Sequence, residues 1–166
     1  MKKLFLVLLF VPLVSFGQIE SVYYTSGASK YESKDYYGAI ADYTKAIELN
    51  PNNPKTSVAY LKRGDAKYRL KDFDGAIADH TKAIELNPNN PKTSAAYLNR
   101  GDAKYRLKDF DGAMADYSKA IKFDPDYSLA YSNRGNVKSI LGDEYGAIAD
   151  DTKFTELDPD NPVAFF

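Results

Sequence analysis

The sequence predicts an all-α solenoid of four helix-turn-helix repeats, and three observations predict it. The first is self-similarity: Arg63 to Ala76 recurs unchanged as Arg100 to Ala113, a shift of 37 residues. The second is periodicity. Small and apolar residues return at helical spacing within each copy, and no stretch alternates with the period of two that a strand requires. The third is punctuation, an aspartate before the second helix of each copy and a proline after it.

The N-terminal segment stands apart from the repeats. Lys2 and Lys3 make a short positive start, and Leu4 to Phe16 is a 13-residue apolar run broken only by Pro12 and Ser15. Ser15-Phe16-Gly17 then places small residues at the two sites a signal peptidase reads. A helix needs about 20 residues to cross a bilayer, so the run is too short to span one. Residues 1–17 are expected to be a signal peptide cleaved after Gly17. The mature chain would then be exported, to the periplasm or outside the cell, with no membrane insertion. Without Lys2 and Lys3 the 22 basic residues become 20 against 23 acidic, a net charge of −3. That balance argues against a nucleic-acid partner, which calls for a basic excess on one face. The absence of cysteine rules out disulfides, thioether lipidation and thiolate metal sites. A single histidine builds no metal shell either, and no cofactor is expected.

Four copies follow in order. A degenerate first repeat covers 20–53, the second 57–90, the third 94–127 and the fourth 128–161, with 162–166 reading as the start of an incomplete fifth. Gly38 to Leu61 recurs as Gly75 to Leu98 with two changes, Tyr43 to His80 and Val58 to Ala95. In the second copy Tyr60, Gly64, Ala66 and Leu70 give the first helix a packing face. Asp72 sits where an N-cap belongs. Ala76, Ile77, His80, Ala83 and Ile84 form the buried stripe of the second helix, which Asn87-Pro88 ends. The first two linkers are three residues longer than the third, and those residues are expected to lengthen the next helix by a turn. In the last repeat Phe154 replaces a packing alanine, so that helix is expected to sit further from its partner or to turn its face.

An aromatic residue, a small residue four places later, two alanines and a closing proline recur as Tyr60, Gly64, Ala76, Ala83, Pro88 and as Tyr97, Gly101, Ala113, Ala120, Pro125. The fourth copy reads Tyr131, Gly135, Ala147, Phe154, Pro159 and the first Tyr23, Gly27, Ala39, Ala46, Pro51. This pattern resembles the tetratricopeptide repeat over nearly all of the mature chain. The resemblance implies a right-handed superhelix whose first helices line a concave groove where a protein or peptide binds. The positions it assigns to that groove are Thr25, Ala28 and Glu32, Lys62, Asp65 and Arg69, Asn99, Asp102 and Arg106, and Asn133 and Asn136. Tyr31, Tyr68 and Tyr105 lie eight residues after the heading aromatics. They serve either as anchors for a ligand or as packing between repeats. Chaperone-binding members of the family grip a terminal carboxylate with a lysine and an asparagine on one first helix. The matching places here are Leu61 and Asp65, or Leu98 and Asp102, so that clamp is absent.

Other motifs weigh less. Arg63-Gly64-Asp65 and Arg100-Gly101-Asp102 spell an adhesion tripeptide, but their glycine falls inside a helix rather than on an exposed loop. His80 reads as a packing residue, since its counterparts are Tyr43, Tyr117 and Asp151. No nucleophile stands with a base, and no catalysis is expected. Arg63, Arg100 and Arg134 share one repeat position, and Asp42, Asp79, Asp116 and Asp150 another. Because the first repeat has Ser26 in place of the arginine, each arginine is expected to reach back one repeat, pairing Arg63–Asp42, Arg100–Asp79 and Arg134–Asp116. The function expected is an exported protein- or peptide-binding scaffold. The alternative is a self-assembling element of the cell envelope that stacks through its open ends. Ile148, Phe154, Leu157, Phe165 and Phe166 are expected to leave an apolar patch there and to support weak self-association.

Overall fold

The computed structural model describes residues 16–89 and 92–160. Most of the leader expected at 1–17, and the fifth-repeat start expected at 162–166, lie outside these residues. Eight α-helices follow in chain order, with no strand among the described residues: α1 (Phe16–Glu32), α2 (Tyr36–Leu49), α3 (Ser57–Arg69), α4 (Phe73–Leu86), α5 (Thr93–Arg106), α6 (Phe110–Phe123), α7 (Ser128–Ile140) and α8 (Glu144–Leu157). They form four hairpins, each packed on the next. Contacts also run directly between successive first helices, α1 to α3, α3 to α5 and α5 to α7. These helices crowd the inner side of the stack, which makes their exposed face the concave one.

One aspartate builds each hairpin turn. The amide N–H of Asp72 donates to the Lys67 carbonyl at 2.9 Å and closes α3, while its carboxylate accepts from the Gly75 N–H at 3.0 Å and opens α4. Asp35, Asp109 and Asp143 repeat both bonds. The residue just before each aspartate adopts positive φ: Lys34, Lys71 and Lys108 at 64–65°, and Gly142 at 84°. The left-handed turn that joins the helices is therefore the same in all four hairpins, whether lysine or glycine occupies it.

The core is made of small residues. Ala39, Ala46, Ala66, Ala76, Ala103, Ala113, Ala120 and Ala130 are completely buried, so the helix backbones lie close together. The closest approach is at the glycines. A Cβ on Gly101 would lie 2.7 Å from the Tyr117 ring, and one on Gly64 would lie 2.7 Å from the His80 ring. This placement also disposes of the adhesion tripeptide, since both glycines are buried within helices.

The arginine pairing differs from expectation. Arg63 makes a two-pronged bond to Asp79 of its own hairpin, at 2.7 and 2.8 Å, and not to Asp42. Arg100 pairs likewise with Asp116 and not Asp79, and Arg134 with Asp150 and not Asp116. The third prong does reach back one hairpin, but to a hydroxyl: Thr44, Thr81 and Ser118 each accept from an arginine Nη1 at 3.0–3.1 Å. Asp42 is not orphaned, because Lys30 approaches it at 2.7 Å and the Ser26 hydroxyl donates to it. Lysines at the equivalent position, Lys67, Lys104 and Lys138, add a second cation to each of the other three aspartates.

Two further expectations are corrected. The extra residues of the first linker form a 3₁₀ turn, Pro54–Thr56, and α3 is no longer than α7, 13 residues each. The Asn53 carboxamide caps the turn through the Lys55 N–H, and the Thr56 hydroxyl donates to the Asn50 carbonyl, so the linker satisfies its own polar groups. Phe154 is not part of an apolar surface, since its side chain is buried in the fourth hairpin. The exposed apolar residues near this end are Leu129, Ile140, Leu141, Tyr145 and Ile148.

Two stability measurements check this packing. Gly101→Leu is expected to cost about 1–3 kcal/mol or more by denaturant unfolding, because the Tyr117 ring has no room to retreat. A loss under about 0.5 kcal/mol would mean that the helices separate freely there. Arg100→Leu is expected to cost roughly 2–4 kcal/mol, below a complete loss of charge compensation because Lys104 remains on Asp116. An unchanged midpoint would mean the pair carries no structural weight.

Candidate functional site

The concave face is floored by a rail of paired polar side chains. Asn99 on α5 donates its amide to Asp65 on α3 at 2.8 Å, and Asn133 on α7 donates to Asp102 on α5 at 2.8 Å. Lys62, one turn before Asp65, approaches its other oxygen at 3.2 Å. Each bond joins residues one repeat apart or one turn apart, which helical periodicity brings to the same face.

Tyrosines form the wall. Tyr31, Tyr68 and Tyr105 each pack edge-on or tilted against an aromatic that opens the next helix, Tyr36, Phe73 and Phe110, with ring centres 5.4–5.7 Å apart. Their hydroxyls lie toward the groove. Tyr31 accepts from Arg69 Nε at 3.3 Å and Tyr105 from Asn136 at 3.4 Å. The ring contacts lie within each hairpin rather than between repeats, and the hydroxyl edge faces the groove. Arg106 takes a different seat, with its guanidinium 5.6 Å over the Phe73 ring.

Two adjoining cavities open along this face. The larger, about 370 Å³, is lined by Tyr31, Asp65, Tyr68, Arg69, His80, Asn99 and Asp102. The second, about 210 Å³, is lined by Tyr68, Asp102, Tyr105, Arg106, Tyr117, Asn133 and Asn136. Tyr68 and Asp102 belong to both, so the cavities form one track. Of the groove residues predicted from the sequence, ten line the track, and Lys62 borders it through its bond to Asp65. Thr25 is elsewhere, in a shallow depression on α1 with Ser21, Val22 and Ser29.

His80 is a packing residue, as the sequence predicts, and it lies at the larger cavity. It is completely buried, and neither ring nitrogen has a hydrogen-bond partner. Its Nε2 lies 3.9 Å from an Asp65 oxygen, too far for a bond. Burial pushes its pKa below the ordinary imidazole value, with Arg100 and Lys62 adding to the effect and Asp65 and Asp79 opposing it. Its counterpart in the next hairpin, Tyr117, donates its hydroxyl to Asp102 at 2.9 Å. Burial also raises the pKa of Asp102, against the lowering effect of the Tyr117 and Asn133 bonds.

Sequence profiles described as "Tetratricopeptide repeat" match residues 21–53 and 57–90, and one described as "TPR repeat" matches residues 101–142. Among solved structures, the Arabidopsis OM64 TPR domain is 30% identical over 75% of this chain and 98% of its own, with a TM-score of 0.69. The chain belongs to the tetratricopeptide-repeat family. A second solved member, the first TPR of Spaghetti (RPAP3) bound to the HSP90 peptide SRMEEVD, is also 30% identical, over 75% of this chain and 94% of that one, with a TM-score of 0.69. YrrB shares the fold at 21% identity and a TM-score of 0.74. Among curated protein sequences, none matches the chain. No described helix of this tetratricopeptide array is long and apolar enough to cross a membrane.

The buried imidazole sets a pH signature on stability. With a folded pKa below the free value near 6.5, His80 stays neutral in the folded chain while the unfolded chain takes up a proton. Its contribution is therefore full above that value and is lost as the pH falls below it, by at most about 1.4 kcal/mol per pH unit. Between pH 7.5 and 5.5 the wild-type melting temperature is expected to fall more than that of His80→Tyr. Equal falls would show that the imidazole titrates as if exposed.

Proposed function

We propose that this array is an exported scaffold that binds a protein partner by laying an extended peptide of that partner along the concave face. The observation that carries the reading is the continuous track of two cavities sharing Tyr68 and Asp102. An extended peptide advances about 3.3 Å per residue, so a track lined from four first helices suits several residues of backbone. Amide and carboxylate groups on the floor can meet peptide N–H and C=O groups, and tyrosine walls contribute area at low entropic cost. The RPAP3 relative, which holds a peptide, gives the reading a precedent within the family.

The class of peptide differs from that precedent. SRMEEVD ends in acidic residues and a carboxylate. Here the two places matching the lysine of a carboxylate clamp are Leu61 and Leu98, each 5% exposed and facing the core. The places matching the asparagine carry Asp65 and Asp102. A floor of carboxylates repels an acidic tail and suits a peptide of mixed or positive charge. The export part of the proposal rests on the leader-like residues 1–17, and self-association through the fourth hairpin on exposed Tyr145 and Ile148.

A displayed peptide library panned against the chain from Gln18 onward tests the reading. Selected peptides are expected to bind with micromolar affinity, and Tyr68→Leu, which keeps an apolar contact with Phe73, should weaken them at least tenfold. Light scattering of the unliganded chain separates the alternative: assembly into stacked oligomers without any selectable peptide would favour the self-assembling element instead.

A further inference from the structure

The larger cavity differs from the smaller one at two repeat positions, His80 against Tyr117 and Asp102 against Asn136. Tyr117 fills the floor of the smaller cavity and its hydroxyl satisfies Asp102. In the larger cavity the same repeat position holds His80, whose shorter ring stops 3.9 Å from Asp65 and leaves both nitrogens unpartnered. The preceding repeat also carries a tyrosine here: apart from Tyr43 against His80 and Val58 against Ala95, residues 38–61 and 75–98 are identical. The opening at His80 thus sits in an otherwise uniform stretch of repeats.

The groups facing this opening are mostly acceptors. Asp102 lines it, and among the described residues no cation pairs with that carboxylate, whose two bonds come from the neutral Tyr117 and Asn133. A neutral imidazole presents one lone pair, and Asp65 presents the oxygen that already takes the Asn99 amide. Of the cations nearby, Lys62 pairs with Asp65, and Arg69 at the rim donates to the Tyr31 hydroxyl and keeps its charge. The rings of Tyr31 and Tyr68 stand on the cavity wall, where an aliphatic stem can lie and a positive head can face a π surface.

We propose that this cavity is a specificity pocket for one cationic side chain, a lysine or arginine of the bound peptide, with Asp102 as counter-charge and Asp65 and His80 as further acceptors. The proposal rests on the peptide-groove reading and names the side chain that the groove selects. The acceptor set, the uncompensated carboxylate and the aromatic wall each match a different part of such a side chain: its donors, its charge and its stem. An acidic side chain would meet two carboxylates, and a purely apolar one would leave the imidazole unpartnered and the charge of Asp102 without a counter-ion.

His80 is the only histidine, so its ring signals report on the pocket directly by NMR. The full chain, labelled with nitrogen-15, is titrated with N-acetyl-lysine amide, N-acetyl-arginine amide, N-acetyl-norleucine amide and N-acetyl-glutamate amide. The lysine or arginine probe is expected to shift the His80 ring signals saturably, at least tenfold more tightly than norleucine, with no effect from glutamate. In His80→Tyr, which copies the folded Tyr117 arrangement, and in Asp102→Asn, the Asn99 side-chain amide is expected to show at least a tenfold loss of the same binding. Equal binding of norleucine, tighter binding of glutamate, silence with all four probes, or full binding by His80→Tyr would each overturn the pocket. Failure of the underlying groove reading looks different. In that case no peptide of any composition shifts the Asn99, Asn133 or Asn136 amides, whereas a groove that takes peptides equally well without lysine or arginine refutes the pocket alone.

Discussion

The stack depends on a buried guanidinium placed where two hairpins meet. Arg63 stacks 5.3 Å over Tyr60 of its own helix, grips Asp79 with two prongs and gives its third to Thr44 of the preceding hairpin. Arg100 and Arg134 repeat the arrangement. The planar fork satisfies one carboxylate within the hairpin and one hydroxyl across the junction, which a lysine could not do at once. Breaking such a pair leaves a carboxylate that is only 3–4% exposed with one lysine in place of two cations, a cost greater than the net worth of the pair. Register follows: a hairpin displaced along its neighbour loses the hydroxyl and unseats the ring. The first hairpin has no predecessor among the described residues, and there Ser26 and Lys30 do the local half of the task.

That register is what gives the groove its geometry. Asn99 meets Asp65, and Asn133 meets Asp102, only if successive first helices sit one repeat apart in phase. The polar rail is thus a readout of the same stacking that the arginines hold from the interior. Because the rail is internally paired, its side chains are preorganised, and a ligand meets fixed dipoles rather than mobile ones. The second and third hairpins are the most alike, and the exchange of His80 for Tyr117 is where their groove floors differ.

Much of this was legible in the sequence, for definite reasons. Tandem near-identity exposed the repeat, and Asp72, Pro88 and the alanine stripe marked helix ends and faces, because caps and periodicity are local properties. Ten residues of the track lie at positions that the tetratricopeptide resemblance assigns to the groove, carried from copy to copy by the repeat phase. The arginine partners were misread because Ser26 seemed to orphan Asp42. The lysine one turn later, Lys30, was the missing compensation, and pairing across a hairpin depends on a three-dimensional reach that spacing does not encode. The added residues of the first linker form a 3₁₀ turn instead of more α-helix, through bonds of Asn53 and Thr56 that no periodicity reveals. The isolation of the His80 nitrogens depends on a gap of 3.9 Å, which only coordinates supply.

The central claim is that recognition happens on the concave track between the second and fourth hairpins. A crystal structure of the chain with its tightest library-selected peptide tests it most directly. The account predicts an extended peptide in contact with Tyr68, Asn99 and Asn133, with a lysine or arginine side chain over Asp102. A peptide seated on the outer face of α4 and α6, or on the exposed end of the fourth hairpin, would contradict it.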